Sequence, residues 1–419
     1  MDLTYLNRKF NEWHRFADQD WNKMFYKIRE KAVRYEEDHD FSISISHLED
    51  NVEKNRYLDV RPFDHCRVIL GDKPEHDYIN ASPIDVDVVK RNYILAQGPL
   101  GHTCADFWQM VFEKNCQLVI MLNNIVEQYM VKCHQYFPTS EEPVLYAVDS
   151  ASERRFRTTL LSETDHGDFI VRELELAVHS SDKPSPDEAG DFEDVVLATR
   201  TVTHYQYTTW PDFGCPKETS HFLSFREHLK ASGKLESDSS SGPVVIHCSA
   251  GIGRTGTFVV IDTVLASVEY GTPLSVKGFE DWILYLRRFR RGLIQTAQQL
   301  RFSWQSIVDS LVDMNKISYD QKKENNTCAA DSTSDDSPIE GSISLSENIS
   351  SKKRSLSGVD KERDELVSKR KETIEAMRRK MKEAEAKRNR SSYSWITVIC
   401  SAGAVGVASI CLYYYLYRN

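Results

Sequence analysis

Cysteine is sparse and scattered: nine residues in 419, an odd number without CxxC spacing, which argues against both a disulfide framework and a structural zinc site. A reducing compartment is the expectation. The opening MDLTYLNRKFNEWHRF lacks the uninterrupted apolar core of a signal peptide, so nothing directs the N-terminus through a membrane. Glycine and proline stand near average usage, which excludes a fibrous or wholly disordered chain. With 40% apolar and 28% charged residues the chain can build an enzyme-sized core. A broad basic footprint is also missing. The net charge is −10, and residues 352–390 hold fifteen Lys/Arg against eight Asp/Glu, so residues 1–351 carry −18. Such an acidic body excludes extended nucleic-acid binding, which displaces counterions with many cations. Any phosphate chemistry must use a focused site.

From residue 1 to about 314 the chain reads as continuously structured. Cys104, Phe107, Trp108, Val111 and Phe112 recur with helical period, and LVIML (118–122) follows as a buried strand. FIVRELELAV (169–178) and VVLATRTVTHYQYTTW (195–210) predict long strands joined by an acidic loop. A helix near 219–230, a strand at 243–247 and helices near 254–269, 280–290 and 297–313 complete the series. Strands mixed with helices predict an α/β domain, a single highly twisted mixed sheet flanked by helices. After about 315 Asn, Ser, Asp and Glu dominate to 351, which predicts a solvated linker. No internal repeat is evident. Residues 360–390 are helix formers with a sparse apolar stripe of Leu366, Ile374, Met377 and Met381, read as a charged surface or juxtamembrane helix.

The most specific chemical signal is PVVIHCSAGIGRTGTF, residues 243–258. A buried strand ends at His247, Cys248 follows, and Arg254 opens an apolar helix. The intervening Ser249, Ala250, Gly251, Ile252 and Gly253 are mostly small, so their backbone can curl until its N–H groups converge on one anion at a helix N-terminus. Arg254 adds a planar fork that matches two phosphate oxygens. The same positive field favours the thiolate of Cys248, so a nucleophile and an oxyanion cradle share one loop. A Walker A loop does not fit, because Cys248 stands where its first Gly belongs and Arg254 where its Lys belongs.

On these residues the sequence resembles the tyrosine-specific protein phosphatases, which share the HCSAGxGR[ST]G signature. The resemblance covers about residues 10–314 and includes KNRYLDV (54–60), DYINAS (77–82), QGP (97–99), HYQYTTWPDFG (204–214) and GLIQTAQQL (292–300) in family order. Within that family the tail makes it similar to the non-receptor 1B and T-cell type. It implies a catalytic domain over 1–314, a disordered linker over 315–359, a juxtamembrane helix over 360–394 and a membrane segment over 395–417. No metal and no cofactor is implied, and the partners are phosphotyrosine-containing proteins, met by a monomeric catalytic domain.

Expelling a phenolate, whose conjugate acid has a pKa of about 10, requires a proton donor. Asp212 in WPDFG is that donor, on a short Pro/Gly loop able to close over substrate. The resemblance further implies that Phe213 covers the substrate ring, that Glu127 and Lys132 orient Arg254 and the closed loop, and that Gln295, with Gln299 nearby, positions the water that hydrolyses a phosphocysteine. Thr255 would steady the departing thiolate. Tyr57 would wall a pocket too deep for phosphoserine, with Asp59 holding the substrate backbone and Leu58 standing where the 1B type has Arg. Arg29 and Arg287 match a pair that forms a second phosphotyrosine pocket, its approach kept open by Gly292.

Trp395 to Tyr417 is a 23-residue uncharged segment, about 34 Å long as a helix and sufficient for a hydrocarbon core of about 30 Å. Trp395 and Tyr413, Tyr414, Tyr415 and Tyr417 suit two interfacial belts. Only Arg418 and Asn419 follow, so a tail anchor is expected, with the basic flank and the enzyme in the cytosol. The endoplasmic reticulum membrane is the expected location and the mitochondrial outer membrane the alternative. Pro338 is the single proline after residue 314, so this region has no PxxP ligand.

Two other classes compete. A catalytically silent phosphotyrosine-binding module would lack a chemical residue, whereas Cys248, Arg254 and Asp212 are all present. A cysteine hydrolase would need a His base, and His247 precedes Cys248 on a strand, where its side chain points to the opposite face.

Overall fold

The computed structural model describes residues 3–71, 76–147, 154–180, 196–211, 214–236, 241–271 and 278–316. Asp212, Phe213, residues 317–359 of the expected linker, the juxtamembrane helix and the membrane segment lie outside these residues. Among the described residues no helix is long and apolar enough to cross a membrane.

Eight strands form one mixed sheet: β1 (Ala81–Val86), β2 (Arg91–Ala96), β3 (Leu118–Met121), β6 (Val144–Ala147), β7 (Arg154–Asp165), β8 (Phe169–Ser180), β9 (Val196–Tyr207) and β10 (Val244–His247). A separate hairpin pairs β4 (Val126–Glu127) with β5 (Met130–Val131). The helices are α1 (Leu3–Trp13), α2 (Asp18–Asp38), α3 (Glu49–Val52), α4 (Cys104–Glu113), α5 (Ser220–Ala231), α6 (Arg254–Glu269), α7 (Phe279–Arg287) and α8 (Ala297–Asp313). The expected single α/β domain with a mixed, helix-flanked sheet is therefore present.

In the sheet the order is β1-β2-β10-β3-β9-β8-β7-β6. Its four central strands, β2, β10, β3 and β9, are mutually parallel, and antiparallel strands extend both sides. Parallel strands buried on both faces read as continuous apolar runs, which is why LVIM and VVI carry no polar alternation. Their side chains still alternate between two cores. Leu118, Ile120, Val244 and Ile246 pack with α5, α6, α7 and α8, whereas Val119, Met121 and Val245 pack with Phe107, Trp108 and Val111 of α4. Because the central four run the same way, the segments after β2, β3, β9 and β10 all leave one edge of the sheet. That shared edge is where an open α/β sheet gathers a site.

Helix α7 ends at Arg287, three residues short of the sequence expectation. The chain then turns through Phe289 to Gly292, and Arg290 leaves the helix face to bond the loop after β10. Helix α6 is buried on nearly its whole circumference, and its Asp262 lies in the interior between Arg91 and Arg226. Arg91 Nε, Arg226 Nε and the Tyr93 hydroxyl donate to its carboxylate at 2.7, 2.9 and 2.6 Å. The two guanidiniums hold this carboxyl down to about 2 despite burial. The cluster fixes α6 to β2 and α5 behind the loop that α6 follows.

Candidate active site

Cys248 stands at the end of β10, 5% exposed, at the floor of the loop that runs to α6. The Gly251 N–H donates to its sulfur at 3.3 Å. Gly251 has φ +72, and a Cβ there would lie 2.1 Å from the Ala96 carbonyl oxygen, so only glycine lets the loop turn against β2. A Cβ on Gly253 would meet Gln295 Oε1 at 2.5 Å and Gln299 Nε2 at 3.0 Å. The sequence placed these two glutamines 42 and more positions from the loop, and the fold brings both amides over it. Gln299 is buried, and its Oε1 accepts from the Gln295 backbone N–H at 2.8 Å.

Arg254 is fixed on three sides. Its Nη1 and Nη2 meet the two carboxylate oxygens of buried Glu127 at 2.6 and 2.9 Å, Nη1 also donates to the Leu122 carbonyl, and Nη2 to the Pro211 carbonyl at 3.3 Å. The guanidinium carbon lies 5.6 Å from the Trp210 ring. Leu122, Glu127 and Pro211 belong to the segments after β3 and β9, so the parallel centre of the sheet is what assembles this arginine's partners. Helix α6 has no acidic residue in its first turn, so no carboxylate of its own competes for an anion at its N-terminus. Thr255 Oγ1, the first hydroxyl of α6, is fully buried and has no hydrogen-bond partner among the described residues.

The loop's outward face is held by a residue the sequence reading missed. Arg290, 1% exposed, donates to the carbonyls of Gly251 at 2.8 Å and Ala250 at 3.1 Å, to Asn80 Oδ1 at 2.9 Å and to Ser82 Oγ at 3.3 Å. Binding the Ala250 carbonyl on one side turns the Gly251 N–H of the same peptide to the other, toward the sulfur. Burial lowers its pKa to about 10, which leaves it charged at neutral pH. DYINAS supplies Asn80 and Ser82 for this purpose.

Tyr57 rises beside the cradle from a loop. Its hydroxyl donates to Ser249 Oγ at 2.8 Å, and Ser249 Oγ donates to the Lys132 carbonyl at 2.7 Å. Gln97 of QGP accepts from the Arg56 N–H and donates to the Lys54 carbonyl, clamping the Tyr57 loop to the end of β2. Asp59, two residues on, is exposed.

His247 is fully buried and faces the α4 core. Its Nε2 accepts from the Tyr136 hydroxyl at 2.6 Å and its Nδ1 donates to the Cys248 carbonyl at 3.1 Å. Burial lowers its pKa to about 4, so it is neutral and structural.

Arg287, matched by resemblance to an arginine of a second pocket beside Arg29, is 4% exposed. Its Nε and Nη2 donate to the carbonyls of Leu293 and Ile294 at 2.9 and 3.0 Å. Ile294 has φ +64, a strained conformation for a β-branched residue. Arg287 thus buttresses the turn that delivers Gln295, while Arg29 is exposed on α2. Gly292 begins that turn with φ +74.

The ends of the segment carrying Asp212 and Phe213 are both held: Trp210 Nε1 donates to the Gly214 carbonyl at 3.1 Å, and Trp210 is buried against Phe222 and Phe302. Among the described residues no cluster of His, Cys, Asp and Glu could hold a metal ion.

Residues 51–309 match the protein-tyrosine phosphatase family. Tyrosine-protein phosphatase non-receptor type 2 of Homo sapiens is 40% identical over 306 residues, 73% of this chain and 66% of that protein. Non-receptor type 61F of Drosophila melanogaster is 36% identical over 294 residues, covering 70% of this chain and 49% of the relative. Non-receptor type 4 of Homo sapiens is 38% identical over 273 residues, 64% of this chain and 26% of the relative. The cysteine floor, the clamped arginine and the glutamine-covered loop therefore sit in a chain that belongs to the protein-tyrosine phosphatase family.

Proposed function

We propose that the protein hydrolyses phosphotyrosine in other proteins through a cysteinyl-phosphate intermediate. The observation that carries this reading is Cys248 Sγ under the Gly251 N–H with Arg254 clamped by Glu127 at the same loop. In the first step the Cys248 thiolate attacks phosphorus, the bond to the tyrosyl oxygen breaks, and Asp212 gives its proton to that oxygen. In the second, water placed by Gln295 and Gln299 attacks phosphorus, the P–S bond breaks, Asp212 takes a proton, and the thiolate departs toward the Thr255 hydroxyl. The backbone from Ser249 to Gly253 and Arg254 bind the phosphoryl oxygens throughout. Tyr57 walls the ring-binding cleft, Asp59 holds the substrate backbone, Phe213 covers the ring, and Lys132 supports the closed loop. Cys248→Ser should bind phosphotyrosine peptide and turn it over at background rate, because an alcohol in this cradle stays protonated. Appreciable turnover by that variant would refute the mechanism, and absence of turnover by the wild-type protein would favour a silent phosphotyrosine-binding module.

The tail supports a second part of the reading. The uncharged 395–417 segment beside a basic stretch suits a tail anchor that holds the enzyme on the cytosolic face of the endoplasmic reticulum. Likeness to the type 2 relatives and this tail together favour the 1B/T-cell type. Carbonate extraction of the full-length protein from membranes would contradict the anchor.

A further inference from the structure

We propose that the rim of the cleft formed by Leu58, Tyr129, Met130 and Val131 selects substrates whose phosphotyrosine is flanked by apolar side chains. This inference rests on the proposed phosphatase reading and adds a substrate class to it. The four residues are 77, 95, 63 and 47% exposed. They stand at the mouth of the site: Leu58 adjoins Tyr57, Val131 adjoins Lys132, and Ser249 bonds both the Tyr57 hydroxyl and the Lys132 carbonyl. Both exposed segments are thus tethered, through Tyr57 and Lys132, to the loop that carries Cys248.

The hairpin holds this surface at a structural cost. Gln128 and Tyr129 are the two residues between β4 and β5, with φ +47 and +64. Such a turn favours Asn-Gly, and a bulky aromatic in left-handed conformation is an outlier. The turn geometry serves the hairpin pairing, but among the described residues the Tyr129 ring packs on nothing that would explain an aromatic there, being 95% exposed. Glu127, the first hairpin strand's last residue, is meanwhile anchored to Arg254, so the apolar tip is held at a fixed place beside the loop. An outlier maintained at a site is the pattern expected of a functional constraint.

Charge points the same way. The cations nearest Tyr57 in sequence face inward: Arg56 Nε and Nη2 donate to the carbonyls of Gly98 and Pro99, and Lys54 Nζ lies 3.4 Å from the Tyr78 carbonyl and 3.7 Å from Asp106. Exposed Asp59 opposes acidic residues next to phosphotyrosine, and half-buried Lys132 only offsets that charge. An apolar flank gains contact area with Leu58, Met130 and Tyr129, whereas Arg56 and Lys54 are already engaged and offer an acidic flank little.

The test compares two phosphotyrosine peptides that differ only in carrying Leu or Glu at the two positions on each side, with p-nitrophenyl phosphate as a third substrate. The wild-type protein should show a kcat/KM at least tenfold higher for the Leu peptide. Leu58→Arg and the double variant Tyr129→Gly, Met130→Ser should each bring the ratio toward one, and the ratio within one protein cancels any general loss of activity. No hydrolysis of p-nitrophenyl phosphate would overturn the phosphatase reading and this inference with it. Hydrolysis of p-nitrophenyl phosphate with a ratio of one or below, or a ratio unmoved by either variant, would overturn the inference alone. So would equal peptide rates combined with Tyr129-dependent sedimentation on phosphatidylcholine–phosphatidylserine vesicles, which would make the rim a lipid-binding surface.

Discussion

Four arginines lie within five positions, at 287, 288, 290 and 291, and the structure assigns them different work. Replacing Arg290 by Lys keeps the charge and removes the fork. An ammonium carries its three N–H groups on one nitrogen in place of the separate Nε, Nη1 and Nη2, so it should leave about two of the four acceptors that Arg290 now reaches, Gly251 O, Ala250 O, Asn80 Oδ1 and Ser82 Oγ, without a charged donor. Charge-assisted bonds cost about 1.5–3 kcal/mol each when lost, so two lost bonds with partial recovery should lower stability by about 2–4 kcal/mol. Domains of this kind are stable by roughly 5–15 kcal/mol, so Arg290→Lys should still fold. Its loop, released on the carbonyl side, should present misaligned N–H groups to an anion. Losing the equivalent of one phosphate bond weakens inorganic phosphate as a competitive inhibitor by roughly 10–100-fold. Arg288, which is exposed and lies 4.4 Å from the Tyr35 ring, is the control, and Arg288→Lys should change stability by less than about 0.5 kcal/mol. Urea denaturation and phosphate inhibition measure both effects. An Arg290→Lys protein with wild-type urea midpoint and wild-type phosphate inhibition would refute the argument that this side chain sets the loop.

Other expectations follow from the same geometry. Burial raises the pKa of Cys66, Cys104, Cys116 and Cys215 to about 12 and that of Cys133 further, so iodoacetamide at pH 7 should label Cys248 before any of these five. Mass spectrometry reads the order, and earlier labelling of Cys66 would count against an accessible nucleophile. His247 has a folded pKa of about 4 against an unfolded value near 6.5. Between these values only the unfolded chain binds the proton, so stability should fall as pH drops through 6.5 and level off near 4. His247 alone accounts for about 3 kcal/mol of this, and buried His204, held well below its usual value, adds with the same sign. His247→Gln should flatten that decline in urea titrations run at successive pH values, and an unchanged decline would reject the assignment. Removing residues 391–419 should leave peptide turnover unchanged and abolish membrane retention, as peptide kinetics and fractionation would read.

What the residues themselves made legible, apart from the resemblance, was contiguous. The strand, the seven residues from Cys248 to Arg254 and the apolar helix after them are one uninterrupted run, because nucleophile, cradle and helix dipole must be chain neighbours to act on one phosphate. The other parts of the site arrive from a distance. Glu127 reaches Arg254 across 127 positions and is named only through the resemblance, whereas Arg290 reaches Gly251 across 39 and has no local signal, since an Arg-rich helix end usually means a solvated surface. Arg287, which the resemblance pairs with Arg29, also takes a place that no local pattern shows, under the Leu293–Ile294 turn. The position of β10 between β2 and β3 was equally hidden, because strand order is decided by which apolar faces close together and not by any property of VVIH itself. Yet that insertion is what brings the segments after β2, β3, β9 and β10 to one edge.

The central claim is a covalent bond between phosphorus and Cys248. It is tested most directly by mixing Gln295→Ala protein with phosphotyrosine peptide, quenching within the first turnover and locating phosphate by mass spectrometry. Dephosphorylated peptide should be released ahead of inorganic phosphate, with a phosphoryl group on the proteolytic fragment of the enzyme that contains Cys248. Release of both products together, with no phosphate on Cys248 at any time of quenching, would contradict it.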